Sequence, residues 1–135
     1  MIALRRMVKS EKGQSMVELA LILPIIILIL FGILEFGRIF YSYIVITNAA
    51  REGARVGAVG SPDSVIIERI REAAPLPYAE SKLAITRLEP HEDARTPGIP
   101  LTVEVAYDVD LVTPILEDIL PNPITLKSRV TMRLE

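Results

Sequence analysis

One carboxylate stands out among the residues whose type and position could do chemistry. Glu18 lies five positions after Gly13, at the start of a strongly apolar run. A carboxylate at membrane depth costs on the order of 2.5 kcal/mol or more unless it is paired or lies near the interface. Where the dielectric constant is low, the group that neutralises it best is a nearby cation. The position of Glu18 therefore predicts an interfacial location or a positive partner.

Glu35 and Arg38 form a second charged pair, near the far end of the apolar run. Their spacing of three puts both on one face of a helix, where they can pair with each other. A contact with another subunit is the alternative. The sequence leaves both interpretations open.

His91 raises the question of a metal site, because Glu92 and Asp93 follow it directly. Adjacent residues point apart, the chain has no second histidine, and the surrounding loop is rich in proline and charge, so a solvated loop is favoured. The sequence also has no cysteine, no phosphate-binding glycine loop and no nucleophile paired with a base. We therefore expect no enzyme, no cofactor, no metal and no small-molecule substrate.

The hydrophobic residues are unevenly distributed along the 135-residue chain. They make up 50% of it, and nearly all of the excess lies between residues 19 and 46. This distribution predicts a membrane anchor joined to a soluble part. The formal net charge of −2, without a massed basic surface, argues against nucleic-acid binding.

The apolar run predicts one membrane-spanning helix. Residues 19–34 carry no charge but fall short of the roughly 20 residues that a span needs, so residues 14–17 or the aromatic residues beyond must supply the missing length. Before the run, basic residues outnumber Glu11. The aromatic residues are Phe36, Phe40, Tyr41 and Tyr43, and the basic ones are Arg5, Arg6, Lys9 and Lys12. The positive-inside tendency then puts the N-terminus in the cytoplasm and the C-terminal part outside the cytoplasmic membrane.

Three kinds of membrane segment fit this pattern. A secretory signal peptide has a basic start and an apolar core, but here the run continues into EFGRIFYSY, which is a poor cleavage context. An uncleaved anchor explains the composition but not Glu18. The third kind has a short basic leader that ends at Gly13, followed by Gln14 and by Glu18 at the fifth position, and this arrangement resembles the prepilin pattern.

In prepilins, a membrane peptidase cuts after the glycine, and the glutamate at the fifth mature position is retained. The resemblance implies a cut between Gly13 and Gln14, which removes residues 1–13 and makes Gln14 the new N-terminus. The cut creates an ammonium at the helix end that carries Glu18. Glu18 then has a partner, either the amine of its own chain or that of a neighbouring subunit.

The residues downstream extend the resemblance. The motifs concerned are Gly13-Gln14, Val17-Glu18, Leu23-Pro24, Glu35-Phe36-Gly37-Arg38 and Asn48-Ala49-Ala50-Arg51-Glu52-Gly53-Ala54-Arg55. With these motifs, residues 13–58 resemble the TadE-like family of pseudopilins, or minor pilins, of the tight-adherence pilus system. TadG-like relatives share this segment but carry a much longer C-terminal region, and the major pilin is much shorter, so a minor component fits best.

The resemblance implies a prepilin peptidase substrate that takes part in the assembly or function of a tight-adherence type IV pilus, used in surface attachment and biofilm formation. Its implied partners are the membrane, other pilin subunits and the pilus assembly platform, and its implied location is the cytoplasmic membrane or an extracellular pilus. The alternative function is an uncleaved single-span anchor that displays a small extracytoplasmic domain to a partner.

Three residues of the resembling segment have packing explanations beside assembly roles. Pro24 cannot donate to the carbonyl of Ala20 and bends a helix, which we favour over a role in subunit extraction. Gly53 and Gly57 belong to a stripe of small residues on one helix face. Packing of this stripe against the C-terminal domain is favoured over filament contacts.

After Gly60 the pattern predicts a compact domain. Ser61 is the predicted N-cap of a helix, because serine accepts from the free N–H groups of a first turn. Alternation of apolar and polar residues predicts two strands, one with acidic and one with basic outward residues, which can lie side by side. The predicted elements are a helix over 61–75, strands over 82–88, 101–111 and 124–134, and a helical turn over 113–120.

The predicted fold class is α+β and pilin-like. It consists of a leader over residues 1–13, a long transmembrane and stalk helix over 14–58, and a small extracytoplasmic domain over 61–135. We expect that domain to contain one helix and about three antiparallel strands.

Overall fold

The computed structural model describes residues 11–135, with side chains from Gly13 onward. Most of the predicted leader, including its basic residues before position 11, lies outside the described residues. The chain divides into two compact units, one that ends at Phe36 and one that comprises Gly37–Glu135. We call them the N-terminal unit and the C-terminal unit.

The first element is a long helix, α1 (Glu11–Ala58), which continues through Pro24. Within the N-terminal unit its large apolar side chains are exposed. Residues 13–36 rise about 36 Å at 1.5 Å per residue, and the hydrocarbon core of a bilayer is roughly 30 Å thick. By length and composition α1 is able to cross a membrane once, and lipid is the solvent that suits its exposed surface.

The C-terminal unit contains a three-stranded antiparallel sheet in the spatial order β1-β2-β3. The sequence-based prediction of an α+β fold with three antiparallel strands is confirmed. The strands lie close to the predicted positions. The register of β1 against β2 shifts between Ile85 and Arg87. Their bounds are β1 (Leu83–Glu89), β2 (Pro100–Val109) and β3 (Ile124–Arg133).

Three shorter α-helices and a 3-10 turn (Glu92–Ala94) complete the C-terminal unit. The ten-residue helix α2 follows α1 after a tight turn at Gly60, whose φ of +85° suits glycine. The other two are single turns that precede β1 and β3. Their bounds are α2 (Asp63–Glu72), α3 (Ala79–Lys82) and α4 (Pro114–Glu117).

The core of the C-terminal unit joins the sheet, α2 and the second half of α1. The residues of β2 that the alternation of 101–111 placed inward are buried, and Ala106, which it placed outward, is buried as well. Helix α1 contributes small residues that let neighbouring side chains approach closely. The fully buried residues are Ile46, Ala49, Ala50, Ala54, Ile66, Ile70, Leu101, Val103 and Val105.

The predicted N-cap of α2 is wrong. The helix begins at Asp63, with Pro62 in the capping position and no side-chain cap from within the segment. The Asp63 N–H instead donates to Glu92 Oε2 at 2.9 Å, while the Ser61 carbonyl accepts from Arg95 Nη1 at 2.7 Å. The helix end is thus capped by a carboxylate from a distant loop, which local sequence rules cannot reveal.

One charge pair joins β2 and β3 across the sheet, of the kind that the acidic and basic strand pattern predicted. Glu104 lies opposite Arg129, whose Nη2 is 2.6 Å from Glu104 Oε2. Thr86 Oγ1 of β1 donates to Glu104 Oε1 at 2.8 Å. The Thr86 hydroxyl and the Arg129 guanidinium lower the pKa of Glu104 below its ordinary value of 4.5, because both favour the ionised carboxylate.

The lowered pKa gives the stability of the C-terminal unit a predictable dependence on pH. A carboxyl group whose pKa is depressed by folding stabilises the folded state above its unfolded pKa, and this contribution is lost as the pH falls through the folded pKa. We expect the stability advantage of wild type over Glu104→Gln to be constant above pH 4.5 and to shrink below it. Denaturant midpoints measured across this range test it, with Glu117→Gln as an exposed control. An advantage that grows on acidification would contradict the assignment.

Candidate assembly site on the N-terminal helix

Gln14 and Glu18 lie one turn apart at the start of α1. Gln14 Nε2 donates to Glu18 Oε1 at 3.2 Å, and both side chains are exposed. Residues four apart share a helix face, so the geometry follows from the spacing. The backbone nitrogen of Gln14 lies on the same turn and is here an amide joined to Gly13. A cut between these two residues would turn that nitrogen into an ammonium one turn from the Glu18 carboxylate.

The apolar surface that follows Glu18 is continuous on all sides of α1. The large apolar side chains of residues 16–34 are exposed in the single chain. Each square ångström of apolar surface left in water costs about 25 cal/mol. Lipid tails or the apolar helices of other subunits are therefore the surroundings that this surface suits.

Pro24 lies within this surface, and α1 continues past it. Proline has no N–H to donate to the carbonyl of Ala20, so the helix is locally weakened there. Prolines are tolerated in spanning helices because neighbouring groups can satisfy the freed carbonyl. The suggested role of Pro24 in subunit extraction stays a prediction.

Glu35 and Arg38 lie on either side of the division between the two units. Glu35 is 5% exposed. Arg38 Nη2 donates to the carbonyl of Asp110 at 3.4 Å, within the C-terminal unit. A contact of this charged pair with another subunit stays a prediction.

Gly53 and Gly57 lie where α1 meets the other core elements. A Cβ on Gly53 would come within 2.4 Å of Ile70 Cγ1, and one on Gly57 within 2.3 Å of Leu101 Cδ2. Real Cβ atoms essentially never come this close, so only glycine fits with the neighbours in place. Gly53 and Gly57 therefore pack inside the C-terminal unit, and a filament contact of the stripe stays a prediction.

His91 lies in a solvated loop. Its side chain is 81% exposed, and Nδ1 is 3.7 Å from Asp63 Oδ2. Within residues 11–135, no group of three or more histidine, aspartate or glutamate side chains is placed to hold a metal ion.

No sequence pattern predicted a role for Arg95, although its side chain organises the loop before β2. Its side chain is 6% exposed and pairs with Asp63. It also donates to the carbonyls of Ser61 and Pro90, at 2.7 and 3.1 Å. A buried arginine with carbonyl and carboxylate partners leaves no local sequence pattern, since its partners lie up to 34 positions away.

The comparison with known proteins points to the same segment as the Gln14 and Glu18 geometry. Residues 13–55 match the family described as TadE-like protein. No curated protein and no solved structure matches the chain. The matched range begins at Gly13, includes Glu18 and Pro24, and ends two residues after Gly53. Residues 13–55, about a third of the chain, are therefore similar to the TadE-like family.

Proposed function

We propose that this protein is a minor pilin, or pseudopilin, that takes part in the assembly or function of a tight-adherence type IV pilus. The TadE-like pilin family is structural and not enzymatic, and its match covers residues 13–55. The observation that carries the proposal is the placement of Gln14 and Glu18 one turn apart, 3.2 Å between side-chain atoms, at the start of an exposed apolar helix.

The proposed processing step is hydrolysis of the peptide bond between Gly13 and Gln14 by a prepilin peptidase. The leader is released with a new carboxylate at Gly13, and the mature chain keeps a new amine at Gln14. At neutral pH this amine is protonated. Glu18 neutralises it in a low-dielectric setting, within one chain or between two subunits.

The proposed location follows from the anchor and its flanking charges. Helix α1 holds the protein in the cytoplasmic membrane by a single pass, with the N-terminus in the cytoplasm and the C-terminal unit outside. During assembly, the apolar surface of α1 leaves lipid and is covered by the helices of other pilin subunits. The assembly platform in the membrane is the expected partner for that step.

Mass spectrometry of the intact protein purified from membranes tests the processing step. In cells with an active prepilin peptidase, we expect the mass of a chain that begins at Gln14, and in cells without the enzyme, the mass of a chain that keeps residues 1–13. Gly32→Leu, which meets nothing within 4 Å, is the control and should be cleaved, whereas Gly13→Leu should not. An intact leader in peptidase-active cells would overturn the proposal and favour an uncleaved anchor that displays its C-terminal unit.

A further inference from the structure

The contacts of α1 distinguish the two ends of the C-terminal unit. At one end, Arg38 Nη2 donates to the carbonyl of Asp110 at 3.4 Å. At the other, the N–H of Glu135 donates to the carbonyl of Ala58 at 2.9 Å. The chain enters this unit at Gly37, directly from its apolar run. The Asp110 end is therefore the end at which the chain enters the C-terminal unit.

An exposed apolar segment lies next to Asp110 in the chain. We call residues 112–120 the apolar loop; it includes α4. Ile115, within α4, is 54% exposed, and Ile119, just after α4, is 72% exposed. Val112 and Leu120 add two more exposed aliphatic side chains. Clustered apolar exposure of this kind marks a contact surface more often than scattered single residues do.

The apolar loop is held in place by its flanking residues. The Asp110 side chain pairs with Lys82, and the N–H of Leu111 donates to Asn122 Oδ1 at 3.0 Å. Leu111 and Thr113 are buried. Both ends of the loop are thus fixed to the folded unit, so its aliphatic side chains are presented outward by the fold.

We propose that the apolar loop inserts its aliphatic side chains into the headgroup and outer acyl region of the bilayer that α1 spans. Continuity along the chain favours lipid as the occupant, because the loop is fixed at the end of the unit where the span begins, and tethering raises the effective concentration of the neighbouring bilayer. Amphipathic surface segments bury apolar groups about 5–10 Å into this boundary. The C-terminal unit therefore rests on the membrane through a second contact beside α1.

The charges of the apolar loop specify the kind of lipid contact. The loop contains Glu117 and Asp118 but no lysine or arginine. Anionic lipids attract basic segments, so they should not strengthen this contact, and a zwitterionic bilayer should suffice. The inference depends on α1 crossing a bilayer and not on a role in pili, so its failure would leave the proposed function untouched.

The absence of tryptophan from the sequence allows a direct test. The full chain carrying Ile119→Trp is reconstituted in phosphatidylcholine vesicles, and Val59→Trp is the matched control. Val59 is 67% exposed and follows Ala58, at the opposite end of the unit. We expect blue-shifted emission at position 119 and quenching by brominated lipids several-fold stronger than at position 59. Added phosphatidylglycerol should not increase the quenching.

Two outcomes would overturn the inference. One is equal quenching of both tryptophans by aqueous acrylamide with no effect of brominated lipid. The other is protection of the tryptophan at position 119 from acrylamide that increases with the protein-to-lipid ratio, without quenching by brominated lipid. That result would indicate a contact between copies of the chain. Because tryptophan itself favours interfaces, Ile119→Cys and Val59→Cys provide a second measurement in this cysteine-free chain. Ile119→Cys should react several-fold more slowly with a water-soluble maleimide, and equal rates would contradict insertion.

Discussion

Gly57→Leu is expected to destabilise the C-terminal unit by about 3 kcal/mol, at the upper end of the usual cost of overpacking. The new Cβ would lie 2.3 Å from Leu101 Cδ2 and 2.8 Å from Ile66 Cδ1. Both neighbours are fully buried, so neither side chain can turn toward solvent to make room. Interiors are close-packed and absorb extra atoms only by strain. Leucine has a far better helix propensity than glycine, but that gain is smaller than the packing cost.

The matched control is Gly37→Leu, in the same helix and the same unit. A Cβ on Gly37 meets nothing within 4 Å, so this change should leave stability equal or raise it by up to about 1 kcal/mol through helix propensity. The unfolding midpoints of the full-length variants in detergent give the comparison, with denaturant unfolding monitored by the circular dichroism of the β-sheet. Similar midpoints for Gly57→Leu and wild type would show that α1 does not pack on Leu101 and Ile66 as described.

Glu18→Ala is expected to reduce piliation at least tenfold while leaving cleavage after Gly13 intact. Removing one partner of a buried ion pair costs about 3–5 kcal/mol, and each 1.4 kcal/mol corresponds to a factor of about ten. The amine at Gln14 would lose its counter-charge in the apolar helix bundle of a filament. Pili counted by electron microscopy and the mass of the mature chain give the two readouts.

Two further variants separate charge from shape at this position. Glu18→Gln keeps the size of the side chain but not its charge, and it should fail like Glu18→Ala. Gln14→Ala removes the side-chain amide that donates to Glu18 Oε1 but keeps the new amine, and it should assemble normally. Normal piliation with Glu18→Gln, or failure with Gln14→Ala alone, would show that amine pairing is not the role of Glu18.

The helices and strands with a regular pattern of apolar and polar residues could be predicted from the sequence, because burial of one face imposes that pattern. The alternation in β2 predicted its buried residues except Ala106, and the outward charges predicted the pairing of Glu104 with Arg129. The pattern of β3 was less complete: Ser128 is buried opposite Val105, on the face that the sequence assigned to apolar residues.

The features that could not be predicted depend on contacts distant in sequence. The cap of α2 comes from Glu92, and the buried cation in the loop before β2 is Arg95. No local rule joins residue 63 to residue 92. In the candidate site, the Gln14 and Glu18 geometry followed from helical spacing. The attachment of Arg38 to Asp110 did not, because it joins residues 72 positions apart.

The division of the chain inside α1 has a consequence for how the protein can be cut into pieces. A fragment that starts at residue 61 would lack Ile46, Ala49, Ala50 and Ala54, which are fully buried in the C-terminal unit. Its sheet and α2 would expose their inner faces to water and tend to aggregate. A fragment of Gly37–Glu135 keeps that core. The boundary between the two compact units therefore lies within a helix.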